Sequence, residues 1–228
     1  MSDEMGASVP INGSDRNGYV VDIYPLSSYY FGSKEAIPFK DETLYNRVLR
    51  MKSNYDAHGL RTCVEAVLLV ELFKHPHLLL LQVRNSIFKL PGGRLRPGES
   101  DIYGLKRKLT RKLSLNEDGG EVDWEVGECL GMWWKPDFET LLFPYFPPNV
   151  KRPKECTKLF LVKLPVSQKF FVPKNLKLLA VPLCQIHENH KTNADAFKFL
   201  YFVDIWADNI RSSTAAVQIL LQHYCLLK

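Results

Sequence analysis

The sequence predicts an α/β fold organised around a mixed sheet, and three patterns support this prediction. A β-branched, apolar run at 62–73 is followed by a turn at 74–77 and a second apolar run at 78–83, as is typical of a buried strand hairpin. Beyond Glu99, helical spacing relates the apolar residues Ile102, Leu105, Leu109 and Leu113. Further strand-like segments lie at 124–134, 158–164 and 176–186.

The first 59 residues are expected to be appended to a single domain, since 228 residues with 46% hydrophobic content can fill one core. Residues 1–18 are polar, so we expect them to be disordered. An arm and a helix follow at 19–59, and the aromatic start of the arm is expected to pack onto the domain. Asp41 is the candidate cap of the helix, Gly59 is its stop signal, and its apolar stripe is Leu44, Val48, Met51 and Tyr55.

Glu65 stands out because it is a carboxylate inside an otherwise apolar strand. A buried charge is costly unless it is paired and hydrogen-bonded, so this side chain needs a partner. That partner is either another group of the protein or a donor on a ligand, and the strand pattern leaves both open. Arg47 and Arg50 lie off the apolar stripe of the first helix and point away from its core face.

Positive charge is concentrated between Arg84 and Lys112. Nine Lys and Arg stand there against Glu99 and Asp101, a net charge of +7 in a chain whose total is +5. Such a region is the electrostatic footprint of a surface that binds a polyanion, although a solvated basic face has the same composition.

Cysteine spacing and apolar content exclude several classes of protein. The five cysteines are scattered, with no Cys-x-x-Cys pair, so we expect no zinc site and a reducing compartment. The N-terminus has no apolar signal core, and no stretch approaches 18 unbroken apolar residues. Neither secretion nor a membrane span is therefore expected.

A proline- and aromatic-rich segment at 136–155 separates two of the predicted strands. Long segments of this kind inside a compact domain are usually functional or interfacial. We therefore expect Phe143, Tyr145 and Phe146 to lie at or beside a protein interface; the alternative is that these rings fold back onto their own core. Trp133 and Trp134 are expected in the core or an interface rather than in a ligand platform.

The stretch 93–115 resembles the Nudix box, whose pattern is Gly-x5-Glu-x7-Arg-Glu-apolar-x-Glu-Glu-x-Gly-apolar. The scaffold positions match at Gly93, Glu99, Arg107, Leu109 and Leu115. The three downstream glutamates of the family fall on Lys108, Arg111 and Lys112. In the family such glutamates hold magnesium, which requires oxygen ligands. The resemblance implies a Nudix-fold α/β/α sandwich at 60–186 with a mixed sheet and an N-terminal extension, and the three cations imply that it has lost hydrolysis, its metal and any cofactor.

Four further motifs, FKLPGG, GMWWKPDFE, PKECTKLFLVKL and FVPKN, resemble the small subunits of pre-mRNA cleavage factor I. This resemblance covers about 23–192. It implies a nuclear homodimer without catalytic activity that binds UGUA elements in pre-mRNA and influences the choice of poly(A) site. The implied protein partners are the larger, arginine-rich subunits of the factor and other polyadenylation factors.

The same resemblance implies an RNA site made of Arg47, Glu65, Ser86, Ile87, Phe88 and Leu90. Two positions depart from the family: a stacking aromatic falls on Ile87, and an acidic contact falls on Phe39. The resemblance ends after Thr192, and the apolar tail at 193–228 is expected to be a liability for solubility. Two other functions stay open, namely a divergent Nudix hydrolase and a binding module for dinucleoside polyphosphates.

Overall fold

The computed structural model describes residues 22–38, 43–84, 87–115, 123–138, 143–146 and 148–189. The expected disordered segment 1–18, the tail 193–228 and the residues Phe39, Asp41 and Ser86 lie outside this part of the chain. The described helices are α1 (Leu44–His58), α2 (Asp101–Leu113) and α3 (Leu183–Asn189). The strands are β1 (Tyr30–Lys34), β2 (Arg61–Val67), β3 (Leu69–Leu72), β4 (His75–Arg84), β5 (Ile87–Lys89), β6 (Gly92–Arg94), β7 (Glu125–Lys135), β8 (Glu155–Lys163), β9 (Lys169–Pro173) and β10 (Lys177–Pro182).

The strands form two four-stranded sheets and one two-stranded sheet. One runs in the order β10-β4-β3 with β5 also paired to β4, the second in the order β6-β2-β8-β7, and the third pairs β1 with β9. Strands β2 and β8 run parallel while their other neighbours are antiparallel, so the second sheet is mixed, as predicted.

Two apolar clusters cover the opposite faces of β4. Leu79 and Leu81 join the cluster that holds the buried face of α2, whereas Leu78 and Leu80 join the cluster that holds α3. This alternation follows from the two-residue period of a strand. With helices on both faces, the α/β/α sandwich implied by the sequence is confirmed.

The predicted strand at 62–73 is in fact two strands in two sheets. The break falls at Leu68, where β2 leaves its pairing with β8 and β3 begins its pairing with β4. The turn of the hairpin is also shorter than expected, because Phe73 and Lys74 alone make it, with φ of 51° and 61°. Two residues at positive φ match the twist of the flanking strands, so His75 already belongs to β4.

The helices depart from the predicted boundaries and stripes at their first turns. Helix α1 is capped by Thr43, whose Oγ1 accepts from the Asn46 backbone N–H at 3.2 Å, and its Leu44 is 76% exposed. On α2, Ile102 is 50% exposed, and the buried residues are Gly104, Leu105, Leu109 and Leu113. In both helices the first turn extends past the core. The predicted strand at 176–186 ends at Pro182, and its last residues are the first turn of α3.

The N-terminal arm packs onto the domain, as expected. The Tyr24 carbonyl accepts from the Glu71 N–H at 2.8 Å, and β1 pairs in parallel with β9. The Lys34 ammonium donates to the carbonyls of Thr110, Arg111 and Ser114 at the end of α2, with 2.9 Å to that of Arg111. A cation at this end satisfies carbonyls that have no partner inside the helix.

The aromatic segment folds back in part. Phe143 and Trp134 exchange two backbone hydrogen bonds of 2.7 Å, and the Phe146 ring meets the Trp134 ring edge-on with centroids 5.0 Å apart. Trp133 is buried in the core, whereas Tyr145 is 57% exposed. None of the helices in the described part of the chain is long and apolar enough to cross a membrane.

Candidate nucleic-acid interface

The Glu99 carboxylate is engaged within the loop and helix that carry it. Arg107 donates to both carboxylate oxygens, from Nε and Nη2, at 2.6 Å each, and the Arg96 N–H donates to Oε2 at 2.8 Å. These hydrogen bonds, first of all those from Arg107, lower the pKa of Glu99 to about 2. The carboxylate therefore clamps the loop at 96–99 to α2.

A close backbone approach seats this loop against the sheet. Gly92 pairs with Glu65 at a φ of 153°, and a β-carbon there would lie 2.2 Å from the Val64 carbonyl oxygen. Only glycine fits this contact, which fixes the position of the following turn relative to β2.

The described residues around α2 do not fit a divalent metal ion. The Lys108 side chain lies over Gly93, with methylenes 3.7 Å from the position a β-carbon would take on that glycine. Lys112, one helical turn further on, is half-buried, and burial lowers its pKa to about 8. Within the described chain no three His, Cys, Asp or Glu side chains gather in a metal-binding arrangement. Ammonium groups thus stand where a hard cation would need oxygen ligands.

Glu65 faces these cations from β2. Its Oε2 is buried and has no hydrogen-bond partner among the described residues. Burial raises the pKa of Glu65 to about 7, and the nearby charges of Lys112 and Lys89 offset part of that rise. A carboxylate whose ionised form lacks a donor is suited to accept a hydrogen bond from a ligand.

Arg47 on α1 lies near the Glu65 site through Lys89 of β5, the neighbour of Phe88 in the chain. Arg47 is exposed and lies near enough to Lys89 for its charge, after desolvation, to lower the pKa of that lysine. The Phe88 ring is partly buried and packs against the cluster that holds α3. Lys89 therefore lies within electrostatic range of both the Glu65 carboxylate and the Arg47 guanidinium.

Comparison with known proteins identifies the family of the chain. The Nudix model described as "nucleotide hydrolase" matches residues 19–198. The "Pre-mRNA cleavage factor Im 25 kDa subunit 1" of Arabidopsis thaliana is 74% identical over 185 residues, which are 79% of this chain and 83% of that protein. The chain belongs to the family of cleavage factor Im 25 kDa subunits.

Other relatives agree with this assignment. The "Cleavage and polyadenylation specificity factor subunit 5" of Dictyostelium discoideum is 48% identical over 72% of this chain and 81% of its own. Membership of the cleavage factor Im 25 kDa family therefore supports a role in mRNA cleavage and polyadenylation. A solved Ap4A hydrolase of C. elegans shares 14% identity with a TM-score of 0.39, covering 67% of this chain and 97% of its own. That likeness is too low to bear on activity.

Several residues of the predicted RNA site have a defined place in this chain. Arg47 and Glu65 both act on the charge of Lys89. The Phe88 ring packs against the α3 cluster, and the Leu90 side chain is buried in the core and leaves only its backbone groups for a ligand. Ile87 pairs with Arg84 through β5, but its side chain, like all of Ser86, lies outside the described atoms.

Sequence reasoning missed the lysines that surround Glu65. From the sequence, Lys112 was considered only as the replacement of a metal-binding glutamate. Lys89 was considered only as part of the basic region between Arg84 and Lys112. The i, i+4 spacing of Lys108 and Lys112 signals one helix face, but it does not indicate which strand that face meets.

Proposed function

We propose that this protein is a sequence-specific RNA-binding subunit of the pre-mRNA cleavage and polyadenylation machinery, which recognises UGUA elements and influences poly(A) site choice. The observation that carries the proposal is the buried Glu65 oxygen without a hydrogen-bond partner, set among cations. Sequence-specific RNA recognition reads the edges of splayed bases and stacks them on flat side chains. Glu65 accepts from a base N–H, Arg47 donates to a base or phosphate, and Phe88 covers a ring.

The proposed role is binding without catalysis. The Glu99 carboxylate is held by Arg107 and the Arg96 N–H, and the other box positions carry Lys108, Arg111 and Lys112. Like charges of this density oppose a divalent ion rather than hold it. Incubation with nucleoside triphosphates, dinucleoside polyphosphates or capped RNA, with magnesium or manganese, is expected to give no turnover above a blank. Metal-dependent release that disappears in Glu99→Gln would support the divergent hydrolase instead.

A binding titration tests the RNA function directly. The full chain is titrated against UGUA-containing RNA and a scrambled RNA of equal length, at two salt concentrations. We expect a preference for UGUA that persists at the higher salt, because base contacts are less salt-dependent than phosphate contacts. Equal binding of both RNAs would contradict the proposal. Tight binding of diadenosine tetraphosphate with no RNA preference would favour the polyphosphate-binding alternative, which the same basic surface accommodates.

The proposed setting is a nuclear homodimer that joins larger, arginine-rich subunits and other polyadenylation factors. Support comes from exposed apolar side chains, namely Leu44 and Tyr45 on α1 and Tyr145 and Phe146 on the aromatic segment. Light scattering at micromolar concentration is expected to give the mass of a dimer, and a monomer under the same conditions would contradict it.

A further inference from the structure

We propose that a second cationic site beside α1 binds phosphate groups of the nucleotides that flank the recognised tetranucleotide. We call it the basic hollow, and its members are Asn54, Tyr55, Arg61, Arg94, Phe138 and Lys154. The inference rests on the proposed RNA-binding function and deepens it, because it assigns residues outside the Glu65 site to the sequence-independent part of binding.

The basic hollow is built where five parts of the fold converge. The second half of α1 contributes Asn54 and Tyr55, and β2 contributes its first residue, Arg61. Arg94, the last residue of β6, pairs with Cys63 and is thus a diagonal neighbour of Arg61 on the same face of the sheet. Residues before β8 and after β7 close it with Lys154 and Phe138. Diagonal neighbours lie roughly 7–8 Å apart, so the two guanidinium groups can act on one ligand.

Cations predominate in the basic hollow, although Arg61 is ion-paired with Glu155, which does not line it. Lys154 is held by aromatic rings, with its ammonium 3.9 Å from the Tyr55 centroid and 5.9 Å from that of Phe138. Cation–π contacts of this kind position the charge without cancelling it. Among the described side chains that line the hollow, three are cations and none is an acid.

Of the two arginines, Arg94 retains donors for a ligand. The Arg61 Nε is buried and ion-paired with Glu155 Oε2 at 3.1 Å. Within the described part of the chain, the Arg94 side chain forms neither an ion pair nor a hydrogen bond. Guanidinium groups with open N–H donors match the oxygens of a phosphate.

The basic hollow is continuous with the Glu65 site. Arg61 and Glu65 stand four residues apart on β2, a separation of about 13 Å along the strand. On α1, Arg50 lies close enough to Arg61 for their charges to interact, and Arg47, one turn earlier, interacts with Lys89. A strand of RNA held at Glu65 therefore passes the cations Lys89, Arg47 and Arg50 on its way to the hollow, and also Glu155, which is paired with Arg61.

Comparing RNAs of different length distinguishes the contribution of the Glu65 site to binding from that of the basic hollow. Affinities are measured by fluorescence anisotropy for a UGUA tetranucleotide, a dodecamer with UGUA between uridines, and a scrambled dodecamer, each at two salt concentrations. The dodecamer is expected to bind more tightly than the tetranucleotide and with a steeper salt dependence. Arg94→Gln and Lys154→Gln should each weaken dodecamer binding about three- to five-fold and reduce the salt slope by about 0.7–1. Neither should change tetranucleotide binding.

Lys169→Gln on β9 is the matched control, since it removes one exposed charge on a different sheet. If the dodecamer still binds more tightly than the tetranucleotide in both Arg94→Gln and Lys154→Gln, to the same extent as in the unmodified protein, the proposal is overturned. This holds even where the preference for UGUA is intact. The proposal is also overturned if the same variants lose binding to inorganic pyrophosphate but keep the tighter binding of the dodecamer. The hollow would then bind free polyphosphates and not the RNA. Equal binding of the matched and scrambled dodecamers counts against the proposed function alone.

Discussion

Two glutamates near the box helix have opposite environments. Glu99 receives three hydrogen bonds and has a pKa of about 2, whereas Glu65 has a buried oxygen without a partner and a pKa of about 7. Because of these environments, the two glutamates have different roles, one in the fold and one in ligand binding. A carboxylate with both oxygens hydrogen-bonded within the protein holds the fold together, while one with a buried oxygen left open at a local cost in free energy is available to a ligand.

Removing the Glu99 charge is expected to give the largest effect, and it falls on stability. The Glu99 side chain is 5% exposed and that of Arg107 is 20% exposed, so Glu99→Gln leaves a largely buried guanidinium without its counter-charge. We expect a loss of about 3 kcal/mol in the free energy of unfolding, measured by urea denaturation. Glu125→Gln breaks an exposed pair with Lys163 and should leave stability almost unchanged. Equal effects of the two substitutions would contradict the clamping role of Glu99.

The corresponding change at Glu65 should spare the fold and impair recognition. Glu65→Gln keeps the shape but replaces a charged acceptor that reads a base, so UGUA affinity should fall by about 1–3 kcal/mol, roughly 5- to 150-fold. Binding to scrambled RNA should change little. Glu71→Gln on β3 is the matched control. A variant that loses stability but keeps its RNA preference would assign Glu65 to the fold instead.

Substitution of Arg47 tests ligand binding separately from the stability of the fold. Because this guanidinium is exposed, Arg47→Ala should leave the melting temperature unchanged and weaken UGUA binding about tenfold. The comparison variant is Lys52→Ala, which removes an exposed cation from the same helix. If Arg47→Ala weakens matched and scrambled RNA equally, the residue contacts phosphate and does not read a base.

The smallest expected effect is a dependence on pH. The pKa of Glu65 is raised from 4.5 to about 7, so the folded state binds more protons than the unfolded state in this window. Its contribution to stability therefore decreases as the pH rises from about 4.5 to about 7, while the ionised form that accepts from a base increases. UGUA affinity should rise by less than about tenfold between pH 6 and pH 8.

A substitution at Lys112 tests the cause of this pH dependence. Lys112→Met removes a charge that lowers the pKa of Glu65, so the midpoint should move above 7. Carbon NMR of the Glu65 carboxyl group follows that midpoint without RNA. Glu65→Gln should abolish the pH dependence of affinity, and an unshifted midpoint in Lys112→Met would contradict the coupling.

The sequence predicted the layers of the fold better than the ends of its elements. The unbroken apolar run at 78–81 was enough to indicate a strand buried on both faces, and this is what β4 shows. It could not reveal that the chain changes sheets at Leu68, because Leu68 is as apolar as its neighbours. The exposed Leu44 and Ile102 fit a helical stripe equally well, and only the extent of the core decides which turns it covers.

The candidate site was predictable only as separate residues. A lone carboxylate in an apolar strand indicated Glu65, but its charged neighbours come from α2 and β5, and their proximity arises from tertiary packing. For the same reason the basic hollow could not be predicted, since Tyr55, Arg94 and Lys154 are far apart in the chain.

The Lys34 contact has a consequence for the order in which the chain assembles. The strand that carries Lys34 pairs with β9, whose register partners lie 139 residues further along. During synthesis the arm leaves the ribosome early, yet its pairing strand and the carbonyls at the end of α2 appear much later. Such distant contacts form slowly, because the intervening chain must first close a long loop. The segment made first is therefore among the last to dock, and until it does the end of the box helix lacks its cap.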